Sequence, residues 1–410
     1  MQKTLVIVGA GAEQESAYVL ARRAGHRVVA TDGSASAPCR SLADEFLLAS
    51  TRDPNETVAI LDTYVARGGR IDGVMTIAND VPLTVAAVAE HFGLPGHRVA
   101  SAKLAADKSL MKNAFRDAGV PCADHWMVSS FEQFEATVRS FALDRFVLKP
   151  VDGRGARGVL ILRSTSDLKW AWEESSSFSN RPMLLLEQFI FGLQISSESF
   201  LIDGVAHTPS LAERNYDRLD EFAPFAIEDG GTIPAPCSAV LREKIDRLVA
   251  AGAAAMGVRD GIVKGDLVVA PNGEPLIIEL ALRLSGGWFA SDQIVAASGV
   301  NLVEAVMKQA LGEPVVAADL APTRDRATAI RYWFPPAGRI VSVDGLAAME
   351  SSPGVLRSGV FRGVGDEQPR VRSHPDRFGF VLVEGATRDD AIARLSTAMG
   401  CVTIGIADRC

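Results

Sequence analysis

Four apolar residues, Leu5 to Val8, run straight into Gly9-Ala10-Gly11 and then into a helical stretch that lasts to Ala24. Gly25 ends that stretch, and a second extended run, Arg27 to Thr31, stops at Asp32. Strand, tight turn, helix and strand in this order form a βαβ opening, which commits the start of the chain to a parallel sheet covered by helices. The alternation continues through Phe46–Leu48, a helix over Asn55–Ala66, the strand Gly73–Ile77, a polar turn at Asn79-Asp80 and a helix ending near Phe92. Gly93 to Gly96 interrupt it, so a first α/β domain is expected over residues 1–102.

The texture then changes. Lys103–Ala118 reads as one helix, with Leu110, Met111, Ala114, Phe115 and Ala118 on one face, and Gly119-Val120-Pro121 stops it. Arg145–Lys149 and Val159–Leu162 read as strands of a hairpin whose tip is the glycine-rich Asp152–Gly158. A helix near Leu168–Glu174 and strands over Met183–Gln188 and Gln194–Ile202 follow. His207–Ala235, rich in charge, aromatics and glycine, is expected to be a loop region facing a substrate. After a helix over Ser238–Met256, the strands Ile262–Val269 and Pro275–Leu280 are joined by Pro271-Asn272-Gly273-Glu274, a strong hairpin turn. Residues 316–410 read as a small mixed α/β unit, giving a fold class of α/β and α+β.

Charge narrows the partners. The 410 residues hold 50 acids against 42 Lys and Arg, a net charge of −8, which argues against nucleic acid or an anionic membrane surface. A polyphosphate ligand would therefore need local Lys, Arg, backbone N–H groups or a divalent metal. No apolar stretch approaches the roughly 20 residues of a membrane-spanning helix. The five cysteines, Cys39, Cys122, Cys237, Cys401 and Cys410, contain no Cys-x-x-Cys pair, and the Met-Gln-Lys start does not read as a secretory signal. A reducing, cytoplasmic setting is expected.

Three features carry chemistry. Gly9-Ala10-Gly11-Ala12-Glu13-Gln14, with Asp32 after the next strand, partly matches a dinucleotide fingerprint, but Gln14 stands at the third glycine and Glu13 would repel a pyrophosphate. A structural turn is the preferred reading. At the second feature, Lys149 precedes the hairpin tip Asp152-Gly153-Arg154-Gly155-Ala156-Arg157-Gly158. No helix follows, so this is not a P-loop; backbone N–H groups at such a tip can instead cradle an anion that Lys149 also reaches. The third is a carboxylate pair, Asp266 and Glu279, on adjacent predicted strands. Two acids side by side repel unless a cation lies between them, and hard oxygen ligands suit Mg²⁺. Arg283 and Ser285-Gly286-Gly287 come directly after, an arrangement suited to neutralising a developing anion.

Taken in order, Asp107-Lys108, Leu148-Lys149-Pro150 with its glycine tip, Leu186-Glu187-Gln188-Phe189-Ile190-x-Gly192, Asp266 and Ile278-Glu279-x-x-x-Arg283 resemble the ATP-grasp superfamily of carboxylate–amine ligases, over most of the chain. The resemblance is to the branch holding amino acid ligases and biotin carboxylase-like and carbamoyl phosphate synthase-like proteins. It implies a Rossmann-like pre-grasp domain over 1–102, a two-lobed ATP-grasp region over 103–315 with a mobile lid at about 120–195, and a small C-terminal domain over 316–410. It also implies ATP and Mg²⁺, with Lys108 and Lys149 on the phosphates and Gly153, Gly155 and Gly158 in a flap above them. Glu187 would accept from the adenine amino group, the backbones of Gln188 and Ile190 would read the adenine edge, and Gln194 would meet the ribose. Asp266 and Glu279 would hold the metal, with Ala281 standing where the family has an asparagine ligand.

The implied chemistry is transfer of the ATP γ-phosphoryl group to a carboxylate, then attack of an amine on the acyl phosphate, with Arg283 stabilising the oxyanion and Lys149 the transferred group. ADP and phosphate leave. Glu228 is a candidate for binding the amine and Arg214 for a substrate carboxylate. Small-molecule carboxylates and amines are the expected partners, and a homodimer is expected of this branch. Two alternatives stand beside this: an ATP-binding module that has lost turnover, motivated by Ala281 and Gln194, and a nicotinamide-dependent oxidoreductase using Gly9, Gly11 and Asp32.

Overall fold

The computed structural model describes residues 2–407 apart from 142, 143 and 164. The opening alternation forms a parallel sheet from β1 (Thr4–Val8), β2 (Arg27–Asp32), β3 (Glu45–Leu48) and β4 (Gly73–Met75), in the order β3-β2-β1-β4. Every residue of β1 is buried because both faces are covered. Leu5 and Ile7 pack towards Tyr18 and the helix Leu302–Ala310, while Val6 and Val8 pack towards Leu61 and Val88. Each such side chain contributes roughly 1.5–3 kcal/mol when fully buried.

The lid is a second, antiparallel sheet of β5 (His125–Val128), β6 (Arg145–Pro150), β7 (Leu160–Arg163) and β8 (Leu184–Gln188), ordered β5-β8-β6-β7. Helices Phe131–Ser140 and Leu168–Ser176 back it, with Phe134, Phe146, Leu148 and Leu186 in a core of its own.

The remaining strands are β9 (Leu193–Ile202), β10 (Val205–His207), β11 (Leu211–Asn215), β12 (Gly230–Ile233), β13 (Gly261–Val269), β14 (Pro275–Ala281), β15 (Ala327–Trp333), β16 (Gly338–Asp344), β17 (Val355–Val360), β18 (Glu367–Gln368), β19 (Gly379–Gly385) and β20 (Thr403–Ile406). Among the described residues they build a nine-stranded sheet, β14-β13-β9-β11-β12-β15-β19-β17 with β10 on β9, and a small sheet β18-β16-β20. The expected C-terminal unit is therefore continuous with the central one: β12 pairs with β15 from Gly230↔Arg331 to Ile233↔Thr328. That ladder is what brings C-terminal side chains to the cavity described below.

Two local expectations change. The single helix over Lys103–Ala118 is two helices, Val99–Ala106 and Lys108–Asp117, because Asp107 adopts extended backbone and caps the second. Its carboxylate accepts from the N–H groups of Ser109 (2.9 Å) and Leu110 (3.1 Å), worth about 1 kcal/mol for such a cap. Apolar periodicity runs through that break and hides it. The expected loop over His207–Ala235 instead contains β11, β12 and the short helix Leu219–Phe222. Cys39, Cys122, Cys237 and Cys401 are free thiols, and Cys410 lies outside the described residues. No described helix is long and apolar enough to cross a membrane.

Candidate active site

Lid, central sheet, N-terminal domain and C-terminal strands enclose a cavity of about 740 Å³. Lys108, Lys149, Gly153, Gly155, Glu187, Gln188, Ile190 and Gln194 line it, as do Arg214, Glu228, Asp266, Glu279 and Arg283. Gly158 does not: its carbonyl accepts from Ser175 Oγ (2.9 Å), which ties it to the lid's own helix.

The lysines are locked in place by acids. Lys149 is the penultimate residue of β6 and Glu187 lies on the neighbouring β8, where the two carboxylate oxygens meet Lys149 and Lys112 (2.8 Å to the latter). All three side chains are almost fully buried, at 4% exposure for Lys149, 2% for Glu187 and 1% for Lys112. Burial pushes the Glu187 carboxyl up, but Lys112 and Lys149 outweigh it and hold it at about 2. Expected to accept from the adenine amino group, the Glu187 carboxylate here pairs with two ammonium groups. Lys108, one residue after the Asp107 cap, donates to Gly153 O (2.9 Å) and lies 3.2 Å from Glu279, so it bridges the lid tip and the central sheet.

Asp266 and Glu279 are direct partners across the β13–β14 ladder only because a β-bulge shifts the register between Leu267 and Asp266; the register set by the hairpin turn would have put Ile278 opposite Asp266. Arg214 lies 3.0 Å from Asp266 and donates from Nε to Glu228 (2.7 Å), while Lys264 also pairs with Asp266. Burial raises the Asp266 carboxyl, yet the two cations bring it to about 2. Arg214 and Glu228, expected to bind a substrate carboxylate and the amine, both line the cavity and bond each other. Arg283 pairs with Asp80 of the N-terminal domain (3.2 Å), and burial of Asp80 is outweighed by Arg283, Lys108 and Arg154, leaving its carboxyl at about 2.

The dinucleotide alternative fails on geometry. Ala10 N–H and Ser34 N–H each donate to Asp32 (both 2.8 Å), so that acid is spent on its own turn. Gln14 folds back over the glycines, accepting from Gly11 N–H (2.9 Å), and a Cβ at Gly9, whose φ is +101°, would lie 2.4 Å from it. The crevice is filled.

Family comparison agrees with this geometry. Residues 18–96 match the ATP-grasp N-terminal domain model, residues 105–287 the ATP-grasp domain model, and residues 331–407 the L-amino acid ligase C-terminal domain 2 model. The chain belongs to the ATP-grasp superfamily. Its fold superposes on that of L-amino acid ligase from Bacillus licheniformis with a TM-score of 0.82, at 19% identity over 99% of each chain. In sequence, D-alanine–D-alanine ligase of Dichelobacter nodosus is 24% identical over 68% of this chain and 86% of its own. Carnosine synthase 1 of Gallus gallus is 23% identical over 88% of this chain, which spans only 40% of that protein.

Within this ATP-grasp cavity the donor set fits a hard cation. Two facing carboxylates supply oxygen ligands, and the bare Ala281 methyl group leaves further positions to water or phosphate oxygens, as Mg²⁺ accepts. Glu279 is the less compensated of the two, since Asp266 already meets two cations. Among the described residues no group of three or more His, Cys, Asp or Glu converges to form a site without phosphate.

Sequence reasoning missed several groups in or beside the cavity. Lys112, behind Glu187, sits one helical turn after Lys108, a spacing that places both on one face. Glu198, flanked by Ser197 and Ser199 in β9, is fully buried and accepts from Ser285 N–H (2.8 Å). Burial lifts its carboxyl to about 7 against the pull of Ser285, Arg283 and Lys264. Tyr332, His374 and Arg377 reach the cavity only through the continuous sheet and the turn before β19, and His374 N–H donates to Gly155 O of the lid tip (3.2 Å).

Proposed function

We propose that this ATP-grasp protein is an ADP-forming ligase that converts a carboxylate to an acyl phosphate and joins it to an amine. The observation that carries the reading is one cavity lined by Lys108 and Lys149 beneath the glycine tip, by the Asp266/Glu279 pair and by Arg283. A carboxylate resists attack because it is anionic and oxide is a poor leaving group; phosphorylation removes both obstacles. Lys108 and Lys149 neutralise the transferring phosphoryl group, the main work in such transfer. Glu187 and Lys112 keep Lys149 aimed without rotamer search. Backbone groups of Gln188 and Ile190 meet the adenine edge and Gln194 the ribose. Glu279 and Asp266 would hold Mg²⁺, which would supply charge neutralisation to the phosphate oxygens. Arg283, fixed by Asp80, stabilises the tetrahedral oxyanion, a contribution of about 3–4 kcal/mol. The lid tip, bonded to Lys108 and His374, excludes water from the acyl phosphate.

The relatives described above, an L-amino acid ligase, a D-alanine–D-alanine ligase and a carnosine synthase, point to amino acids as the substrate class. The test is an ADP-release screen with ATP, Mg²⁺ and pairwise mixtures of the twenty L-amino acids and β-alanine, with mass spectrometry of the products. ADP above the ATP-only blank together with a condensed product supports the ligase. ATP protection against thermal unfolding with no turnover in any mixture favours a binding module instead, the reading that neutralisation of Asp266 by Arg214 and Lys264 would support.

A further inference from the structure

We propose that Glu13 and Gln293 form the subsite that receives the ammonium group of the amine substrate, and that Glu13 takes the proton the nucleophile must lose. The proposal rests on the ligase reading and names a group within that site. Glu13 belongs to the turn after β1, the segment whose glycines do not bind a dinucleotide. It reaches across to the loop after β14, where Gly287 N–H donates to its Oε2 (2.7 Å). From the other side Gln293 Nε2 donates to the Gly287 carbonyl (3.3 Å). One glycine thus holds two side chains that both line the cavity. Gln293 is 3% exposed, and among the described residues its Oε1 is buried without a hydrogen-bond partner. The bond from Nε2 fixes which end of the amide is which. Held on one glycine and lining one cavity, this amide oxygen and the Glu13 carboxylate are two acceptors suited to an N–H donor carrying positive charge.

The backbone is shaped for this approach. A Cβ at Gly286 would lie 2.2 Å from Glu13 Oε2, so only glycine admits the carboxylate. Gly287 and Trp288 both have positive φ (+64° and +54°), turning the Gly287 N–H towards Glu13. Three further titratable groups face Glu13: Arg283 from the loop after β14, Arg377 from the turn before β19, and Tyr332 from β15. Among the described residues neither arginine forms an ion pair with it. Burial raises the Glu13 carboxyl against the opposing pull of Gly287 N–H, Arg377 and Arg283, which increases its affinity for a proton.

The step balances. The ammonium gives one proton to the Glu13 carboxylate and becomes an amine. Its lone pair bonds to the acyl carbon, and the carbon–oxygen bond to phosphate breaks with the electron pair on phosphate. The second nitrogen proton leaves with phosphate as the hydrogen phosphate dianion, and Glu13 returns its own to water.

Hydroxylamine is the probe, because it is largely uncharged at pH 7.5 and captures the acyl phosphate as a hydroxamate without losing a proton to a base beforehand. Wild type and Glu13→Gln are compared for hydroxamate and for amide, using the carboxylate and amine found by the screen. The expected result is hydroxamate within threefold of wild type and amide reduced by about 100-fold, the usual scale for a general base. Equal losses of both products would mean that Glu13 only supports the Gly287 loop, and unchanged amide would mean that it is idle; either overturns the proposal. Gln293→Leu should raise the KM for the amine at least fivefold with hydroxamate unchanged, and an unaltered KM removes Gln293 from the subsite. A wild type making neither product sinks the ligase reading separately. The subsite is then judged by thermal unfolding in ethylammonium against sodium chloride: stabilisation lost in Glu13→Gln supports it, and equal curves overturn it.

Discussion

Two parts of one cavity wall handle charge in opposite ways. Around Lys108, Lys112 and Lys149 every cation already has a carboxylate, Glu187 or Glu279, within the protein. Around the loop Ser285–Gly287, buried polar atoms are left over: among the described residues Gln293 Oε1 and Arg377 Nε have no hydrogen-bond partner. The first part is held in shape by its own ion pairs, so a triphosphate must compete with Glu279 for Lys108. The second keeps polar atoms without a protein partner, open to water or a ligand. Left unpaired, each such group would cost roughly 1–3 kcal/mol.

The largest expected effect breaks the self-paired part. Lys112→Met leaves Glu187 with one cation in a dry site and should lower stability by about 3–5 kcal/mol in chemical denaturation. A loss under about 1 kcal/mol for this change would contradict the locking role. Next, Arg283→Met should lower kcat by roughly 10²–10³ with the KM for ATP little changed, measured by ADP release. An equal rise in that KM would move Arg283 to the nucleotide.

The third prediction concerns Glu198 and pH. Its carboxyl is raised by burial to about 7 from an ordinary value near 4.5, so the folded protein binds the proton more tightly than the unfolded chain. Stability is therefore fullest below about pH 4.5 as far as this group is concerned, and falls as pH rises through about 7. Glu198→Gln should flatten that fall and stabilise the protein by up to about 3 kcal/mol above pH 7, read from melting curves across pH 5–8.5. A wild-type curve with no such slope would show Glu198 to be an ordinary acid. A smaller effect sharpens the unsatisfied part: Gly286→Ala should displace Glu13 and cut amide formation by about 10- to 100-fold with ATP binding intact. Last, NADH should leave the melting temperature unmoved, because Gln14 fills the space over Gly9.

The same contrast explains what could be read from the chain alone. The lysine part lies on short-range patterns. Lys149 stands near the end of an apolar run before a glycine tip, and Asp266 and Glu279 flank Asn272-Gly273, a turn that dictates antiparallel strands, although the bulge that sets the two acids opposite each other is not legible. The unsatisfied part has no such pattern. Glu13 meets Gly287 across 274 positions, and Asp80 meets Arg283 across 203. Even nearby, the break at Asp107 escaped notice because a side-chain cap leaves apolar spacing unchanged.

By itself the sequence determined the strand–helix alternation, the hairpins and the order of the motif residues, since each depends on neighbours a few positions apart. Only the tertiary structure decided which charges pair, that Glu187 serves lysines, and that β15, β17 and β19 extend the central sheet. Those outcomes depend on burial and on partners far along the chain, and the free energy of a buried charge is set by what surrounds it rather than by what precedes it.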